Sequence, residues 1–437
     1  MKRIALVLAV LVLMSTVVFA GGTRQTTAAP GISVIRWSYW GGEARLRAVQ
    51  QAIDIYTGET GNIVAGEPAP GTNEHFDKFR VQFAGGNAVD IVQLGGYFSN
   101  LGLDDNGKET KPPAGDYLLD LGPYVKSGAL NTANVDAAAL NAGTRDGVLY
   151  AIPVAMNMPA LIYNKSLLER VGAPLPKVSM NWAEFETWVG QVQAKLPSGV
   201  YALTDNSATA SGSVYFGYWQ GQNGTPQWDG KQTKLTLQSV QQYFDLWAKW
   251  RTNGWVPPAN VSADYAESNE STSALIAGKT AVVQVWSNSI TPYQSATKDD
   301  LQLIELPNAA VSNGLWGQMS QMMAINKKSK NPDAAIQFLN YYTNDPRVWE
   351  KLGTSYGIPV TPAGRAAVSA NADSNTKKQN DYLDVAGKHA SPPNPNMPND
   401  TEWNSGLHLI AQNVAYGRIT SAAGAQQVLD LVNRLTK

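Results

Sequence analysis

Apolar and polar positions alternate along the first third of the chain with two different periods. Residues 33–39 (SVIRWSY) alternate as in a half-buried strand, and residues 43–61 place apolar side chains on one helical face. Residues 76–83 predict a second helix, and residues 89–94 predict a short buried strand followed by two glycines. A strand–helix–helix–strand order is typical of α/β wiring with parallel strand pairing.

Three side chains follow the carboxyl ends of these two predicted strands. Trp40 and Glu43 come after the first strand, and Tyr97 comes after the second. Because ligands in open α/β sheets bind at this edge, we expect the three side chains to share one rim. A structural alternative stays open for each: Glu43 would also suit a helix N-terminus, where the dipole favours an acid, and the two rings would also suit packing.

Residues 150–165 (YAIPVAMNMPALIYNK) form an apolar stretch that two prolines interrupt. Pro153 and Pro159 have no N–H to donate, so continuous central strand pairing is excluded on both sides of Asn157. We expect two short extended pieces with an irregular break at Asn157. Such a break is natural where a strand leaves one domain and enters another.

Strand and helix periods continue to the end of the chain. Strands are predicted at residues 201–204, 279–286, 301–307 and 318–326, and helices at 166–171, from 182 onward, at 238–250, 331–342 and 422–435. Residues 211–223 are rich in aromatic residues and interrupted by glycine. The tryptophans on predicted helices are expected to pack rather than to bind; they are Trp182, Trp188, Trp247 and Trp250.

The N-terminal residues predict export. Basic residues at positions 2 and 3 precede an apolar run at residues 4–14, and a small-x-small pattern ends at Ala20. We therefore expect a signal peptide over residues 1–20, removed after Ala20, and a flexible linker over residues 21–31. The alternative is a membrane anchor, but a span needs about 20 apolar residues.

Length, charge and composition narrow the class of protein further. At 437 residues the chain is too long for one compact core, so two domains or lobes are expected. A formal net charge of −1 argues against nucleic acid or an anionic membrane as the partner. The chain has no cysteine, three histidines without metal-ligand spacing and no glycine-rich phosphate loop, so no metal, cofactor or lipid anchor is expected.

Four stretches, in this order, resemble one known family. They are residues 79–94 (FRVQFAGGNAVDIVQL), 150–177 followed by NWAEF, 274–288 (ALIAGKTAVVQVWSN), and 324–346 followed by YGIPVTP. Together with the export signal, they resemble the family 1 extracellular solute-binding proteins of ABC importers, which include maltose- and other sugar-binding proteins. The resemblance spans nearly the whole chain after the signal peptide.

The resemblance implies a two-lobed periplasmic binding protein fold of the class II type. Each lobe would be a mainly parallel α/β sheet flanked by helices, with the ligand in the cleft between the lobes. The chain would cross between lobes near Asn157, residues 316–317 and residues 358–359. Lobe 1 would comprise residues 32–156 plus 318–360, and lobe 2 residues 157–317 plus 361–437.

The resemblance also implies a set of ligand contacts. Matched by position, they fall on Glu43, Tyr97, Asn157, Tyr215, Trp286, Asn288, Gln318 and Trp403. This chain departs from the family at two of them, because Trp286 stands where the family commonly has glycine and Asn288 stands where it has tryptophan. The orientation of Trp286 is therefore left open.

A sugar site needs aromatic faces for the C–H surfaces and polar groups for the hydroxyls, because an unpaired buried hydroxyl is costly. Trp40, Trp219 and Trp316 complete the expected aromatic set beside the amides of Asn157 and Asn288. Since these two positions are amides rather than acids, a neutral carbohydrate is favoured over a cation. The expected function is a carbohydrate-binding protein that delivers its ligand to an ABC permease.

Three alternatives stay open at this stage: a protein for a non-sugar solute such as a polyamine, a receptor for a sensor partner, and a secreted carbohydrate-active enzyme. The enzyme needs two carboxylates flanking the scissile bond, and Glu43 is the only acid in the expected set, so no enzymatic activity is predicted. Without a lipid-anchor cysteine we expect a freely diffusing monomer in a periplasm.

Overall fold

The computed structural model describes residues 32–69, 72–95, 114–209, 212–265, 270–308, 315–386 and 397–436. The expected signal peptide and linker, and Tyr97, lie outside these residues. None of the described helices combines the length and the apolarity that crossing a bilayer requires.

The strands are, in chain order, β1 (Val34–Trp40), β2 (Ile63–Ala69), β3 (Ile91–Leu94), β4 (Thr144–Arg145), β5 (Val148–Leu149), β6 (Ala151–Asn157), β7 (Pro159–Asn164), β8 (Tyr201–Leu203), β9 (Thr280–Trp286), β10 (Leu301–Ile304), β11 (Gln318–Ile325) and β12 (Ile358–Pro359). Among the described residues these strands form two main sheets, one in each lobe.

The helices are, in chain order, α1 (Glu43–Thr60), α2 (Thr72–Ala84), α3 (Ala114–Tyr117), α4 (Gly122–Ser127), α5 (Ala137–Ala142), α6 (Lys165–Val171), α7 (Trp182–Gln193), α8 (Gly212–Gln222), α9 (Leu237–Thr252), α10 (Ala259–Ser262), α11 (Ile290–Ser295), α12 (Pro332–Asn344), α13 (Pro346–Leu352), α14 (Pro362–Ala370), α15 (Ser374–Ala386), α16 (Asp400–Ala415) and α17 (Ser421–Leu435). Most pack against one of the two sheets.

The first sheet has the order β12-β6-β11-β3-β1-β2, and the second has the order β10-β7-β9-β8. Both are mixed. Strand β1 is parallel to β2 and β3, whereas β11 is antiparallel to β3 and β6, and β7 is antiparallel to β9 and β10. The expectation of mainly parallel sheets is therefore wrong. The reason is that β6 leaves the first sheet at the same edge where β11 re-enters it, and this forces the two strands to run in opposite directions.

Two segments were missed because their patterns are weak. Strand β2 (IVAGEPA) contains Gly66 and Pro68 and does not alternate, yet it pairs in register along the whole of β1. A Cβ at Gly66 would lie 2.6 Å from the hydroxyl of buried Tyr39, so a larger residue there would displace the Tyr39 ring. Helix α8 has no separate polar face, because Gln220 and Gln222 are buried along with its aromatic rings, so its sequence has no helical stripe to recognise.

The packing of the C-terminal helices decides where the chain returns to lobe 2. Helix α14 buries Ala367 and Val368 in the core of the first sheet beside Trp349. Helices α15 to α17 instead pack in the core of the second sheet, for example through Tyr382 and Val428. The third crossing therefore falls between α14 and α15, one helix later than the boundary at residue 361 expected from the resemblance.

Candidate ligand-binding site

One edge of the first sheet collects the strand ends that border lobe 2. The last residues of β1 and β2 are paired there, Trp40 with Ala69. At the same edge Asn157, the last residue of β6, pairs with Gln318, the first residue of β11. The first two crossings between the lobes therefore pass through this edge.

The matching edge of the second sheet lies immediately beyond the crossing. Strand β7 begins at Pro159, which pairs with Trp286 at the end of β9. Met158 is the only residue between β6 and β7, and it exchanges hydrogen bonds with Ser287: the Ser287 N–H donates to the Met158 carbonyl at 2.9 Å, and the Met158 N–H donates to Ser287 Oγ at 3.3 Å. The two sheet edges therefore face each other across a short link.

The side chain of Asn157 ties this link together. It is 4% exposed, and its Nδ2 donates to the Tyr356 carbonyl at 3.1 Å. Its Oδ1 accepts from Ser287 Oγ at 3.4 Å and from Gln379 Nε2 at 3.5 Å. The predicted break at the lobe crossing is thus present, and the Asn157 amide holds segments of both lobes together. The expectation that the two prolines exclude central strand pairing is wrong, because Pro153 pairs with Met322 inside β6 and Pro159 pairs with Trp286 at the start of β7. A direct ligand contact by Asn157 stays a prediction.

Two tryptophans stand half-buried beside the crossing. Trp286 and Trp316 pack edge to face, with ring centroids 6.5 Å apart and planes at 80°. Gln318, also half-buried, follows Trp316 by two residues. An aromatic pair next to an amide at an interlobe edge suits a ligand with both apolar faces and hydroxyls.

Trp219 packs on the lobe 2 core, whereas Asn288 reaches across to lobe 1. The Trp219 ring packs edge-on against Trp182 at 4.9 Å and is half-buried. The Nδ2 of Asn288 donates to the Ser355 carbonyl at 3.3 Å, which is a contact from lobe 2 to lobe 1. Asn288 therefore lies where the two lobes meet.

Four expected site residues have other structural roles. Tyr215 is fully buried against Trp247, and this burial raises the pKa of its hydroxyl. Trp403 lies in the same core and is 1% exposed. Trp40 is buried against His75, with ring centroids at 4.8 Å. Glu43 has a side chain 89% exposed and pairs with Arg47 on the outer face of α1.

Ligand contact by these four stays a prediction that their burial or exposure does not support, because position along the chain does not set side-chain direction. Aromatic rings at such positions gain more from the core than from a wet edge. We therefore leave Trp40, Glu43, Tyr215 and Trp403 out of the site proposed below.

The sequence reasoning missed Arg45. Its Nη2 donates to the Ser355 carbonyl, the same oxygen that accepts from Asn288, and its guanidinium stacks over the Tyr356 ring at 5.0 Å. Burial lowers the pKa of this arginine. One feature of the sequence could have identified Arg45: it is a cation in the first turn of a predicted helix, where the helix dipole disfavours positive charge.

A buried polar chain supports this corner of lobe 1. The Tyr356 hydroxyl donates to Gln93 Oε1 at 3.2 Å, and the Gln93 carbonyl is 2.8 Å from His75 Nε2. Ser38 Oγ lies 3.1 Å from His75 Nδ1. Burial lowers the pKa of His75 to about 4, so the ring is neutral at pH 7 and its role here is structural. In the described part of the chain no three acidic or histidine side chains converge as a metal site would require.

Comparison with known proteins identifies the family. Residues 51–380 match the model of a family described as bacterial extracellular solute-binding protein. The chain belongs to this family. The resemblance noted in the sequence is thereby confirmed, and so are the α/β class and the two-lobed fold.

Several solute-binding proteins are similar to this chain over most of its length. The maltodextrin-binding protein MdxE of Bacillus subtilis is 22% identical over 357 residues, 80% of this chain and 78% of the relative. A family 1 extracellular solute-binding protein from Alicyclobacillus acidocaldarius has a TM-score of 0.70 at 26% identity and covers 94% of this chain and 100% of its own. An oligogalacturonide-binding protein from Yersinia enterocolitica has a TM-score of 0.78 at 21% identity, covering 93% and 100%.

Proposed function

We propose that this solute-binding protein captures a carbohydrate between its lobes for an ABC importer. The observation that carries the proposal is the pair of facing sheet edges, where Trp286 and Trp316 stand half-buried beside Asn288 and Gln318. A sugar ring would lie against the indole faces, and its hydroxyls would pair with the amides.

The ligands of two relatives support a carbohydrate. One is a maltodextrin-binding protein and the other binds oligogalacturonide. Their identities of 22% and 21% are too low to transfer a particular sugar, so the proposal is limited to the class.

Ligand capture would use a hinge motion at the lobe crossings. Ser355 accepts hydrogen bonds from Arg45 of lobe 1 and Asn288 of lobe 2 through one carbonyl oxygen. A ligand that contacts both edges would favour the conformation in which this junction is closed. We further propose the lobe division of the sequence analysis, with the third crossing moved to the α14–α15 link.

The setting proposed for this function is a periplasm, with export by the N-terminal segment and delivery to ABC permease subunits by the monomer. A polyamine or another non-sugar solute is the second candidate ligand, and a sensor partner would be a second use of the same closure. A carbohydrate-active enzyme is disfavoured, since Glu43 lies in solvent and pairs with Arg47.

The test is titration of the purified protein with mono- and oligosaccharides while tryptophan fluorescence is recorded. We expect saturable binding of at least one sugar. Trp286→Ala should weaken it, because a stacking face is lost. The matched control is Trp255→Ala, since Trp255 is a half-buried lobe 2 tryptophan that packs on Gly190 in the middle of α7. A response to polyamines or peptides alone would refute the carbohydrate assignment.

A further inference from the structure

Arg45, at the junction of the lobes, has no acidic partner among the described residues. Its neighbour Arg47 forms an ion pair with Glu43, whereas the described bonds of Arg45 are one to the Ser355 carbonyl and a stacking contact with Tyr356. Burial lowers the pKa of this guanidinium, the direction expected for a cation that no carboxylate stabilises. A desolvated positive charge is normally paired, because leaving it unpaired is costly.

One atom of this guanidinium and one atom of the adjacent Ser355 have no hydrogen-bond partner within the part of the chain that the structure describes. One is Arg45 Nε and the other is Ser355 Oγ, and both are shielded from solvent by the protein. Both can donate, and neither finds an acceptor there. A guanidinium N–H and a hydroxyl that lack an acceptor can each donate to an anionic oxygen from outside the chain.

The chain positions Arg45 with specific packing. The aliphatic part of its side chain lies against Gly41, where a Cβ would stand 2.6 Å from Arg45 Cδ. The guanidinium is held on the Tyr356 ring, and the Tyr356 hydroxyl is fixed by Gln93. Its place in the first turn of α1 opposes the helix dipole, so local helix stability does not account for an arginine here.

The location connects this cation to the proposed site. Arg45 and Asn288 donate to one oxygen, the Ser355 carbonyl, so the guanidinium lies within two hydrogen bonds of the lobe 2 edge that carries Trp286. Guanidinium groups pair with carboxylates through two parallel hydrogen bonds, a geometry that neutral sugars cannot offer.

We propose that the ligand is an acidic carbohydrate whose carboxylate pairs with Arg45. This inference rests on the proposed function, which it narrows from carbohydrates in general to those containing a uronic acid. It departs from the neutral sugar favoured by the sequence, because that preference counted Asn157 and Asn288 and did not include Arg45.

The test compares ligands that differ only in charge. Digalacturonate, its dimethyl ester and the neutral galactose disaccharide are titrated against the full-length mature protein by calorimetry, and glucuronate is compared with glucose. We expect the acid to bind about tenfold or more tightly than its ester, and added salt to reduce the difference. Equal binding of acid and ester by the wild-type protein would overturn the inference while leaving the proposed function intact.

Variants then assign the effect to Arg45. Arg45→Gln should remove the preference for the acid, and Arg45→Lys should retain part of it. The matched control is Arg47→Gln. It removes a positive charge from an exposed side chain two positions along the same helix and should leave the preference for the acid unchanged. A folded Arg45→Gln protein that still prefers the acid would refute the assignment. Failure of every sugar to bind, acidic or neutral, would refute the proposed function instead.

Discussion

At the scale of single residues, the crossing depends on the absence of a side chain at position 357. Gly357 has φ of 118°, and a Cβ there would collide with Asn157 Oδ1 and the Met156 carbonyl oxygen. This close approach allows the Asn157 amide to bind the loop that contains Tyr356. The conformational freedom of one glycine is therefore necessary for the interlobe link.

We expect Gly357→Ala to lower the free energy of unfolding by about 2–4 kcal/mol, since it combines strain at positive φ with a steric clash. Chemical denaturation measures this. Gly58→Ala is the control: Gly58 is on α1, a Cβ there would meet no atom within 4 Å, and the change should stabilise the protein by ~0.5–1 kcal/mol. Equal effects of the two substitutions would contradict this account.

His75 predicts a pH dependence of stability. Burial holds its folded pKa at about 4, below the value of about 6.5 expected in the unfolded chain. Between these values the unfolded state binds the proton and the folded state does not. The contribution is therefore complete above pH 6.5 and is lost as the pH falls towards 4.

Denaturation at pH 7.5 and pH 5 should show this loss, amounting to ~1–2 kcal/mol. In the His75→Gln variant the unfolding free energy should differ less between the two pH values, because the histidine contribution is absent. Some difference should remain, because the acidic residues titrate in both proteins. The same pH difference in variant and wild type would exclude His75 as its source.

At the scale of elements, a buried ion pair fastens α9 to the end of β8 near the lobe 2 edge. Arg251 Nε donates to Asp205 Oδ2 at 2.6 Å, and Arg251 Nη2 donates to Ser207 Oγ at 2.6 Å. The Asp205 side chain is 0% exposed and that of Arg251 is 13% exposed. Ser207 Oγ also donates to Asp205, so the carboxylate is well satisfied.

Removing one partner leaves the other charge buried, so Arg251→Gln should cost ~3–5 kcal/mol of unfolding free energy. The exposed pair of Lys377 and Asp381, with side chains 70% and 62% exposed, is the comparison. Lys377→Gln should change stability by no more than about 0.5 kcal/mol. Thermal and chemical unfolding of both variants test the contrast, and a cost below about 1 kcal/mol for Arg251→Gln would show that the pair is dispensable.

At the scale of the whole molecule, the junction at Ser355 should control closure. Asn288→Ala removes the lobe 2 donor to that carbonyl and should populate open conformations more strongly. On ligand binding, the radius of gyration measured by small-angle scattering should decrease more for Asn288→Ala than for the wild type, because the variant starts more open.

The affinity of Asn288→Ala should fall for two reasons: fewer molecules are in the closed conformation, and the amide proposed to pair with a sugar hydroxyl is lost. The Gln294→Ala variant is a suitable comparison, because Gln294 bonds to Asp299 and Leu301 within lobe 2. Identical scattering profiles for wild type and Asn288→Ala without ligand would contradict a role of this contact in closure.

The sequence by itself determined the features that depend on local periodicity. Strands β1, β9 and β11 and helices α1, α9 and α12 lie where their apolar spacing predicted them. The polar residue Asn157 in an apolar stretch marked the first crossing, but the prolines did not set it, because Pro153 lies inside β6 and pairs with Met322. Four sequence stretches in their order, together with the export signal, were also enough to recognise the family.

Tertiary structure alone decided what local sequence cannot encode. Whether a tryptophan at a strand end faces a core or an edge depends on neighbours distant in sequence, and this separated Trp286 from Trp40. Strand direction depended on where β11 re-enters the first sheet. Arg45 became a candidate ligand contact only because Ser355, 310 positions later in the chain, folds against it. The sequence cannot show whether a charge has a partner, because partners are set by the folded structure.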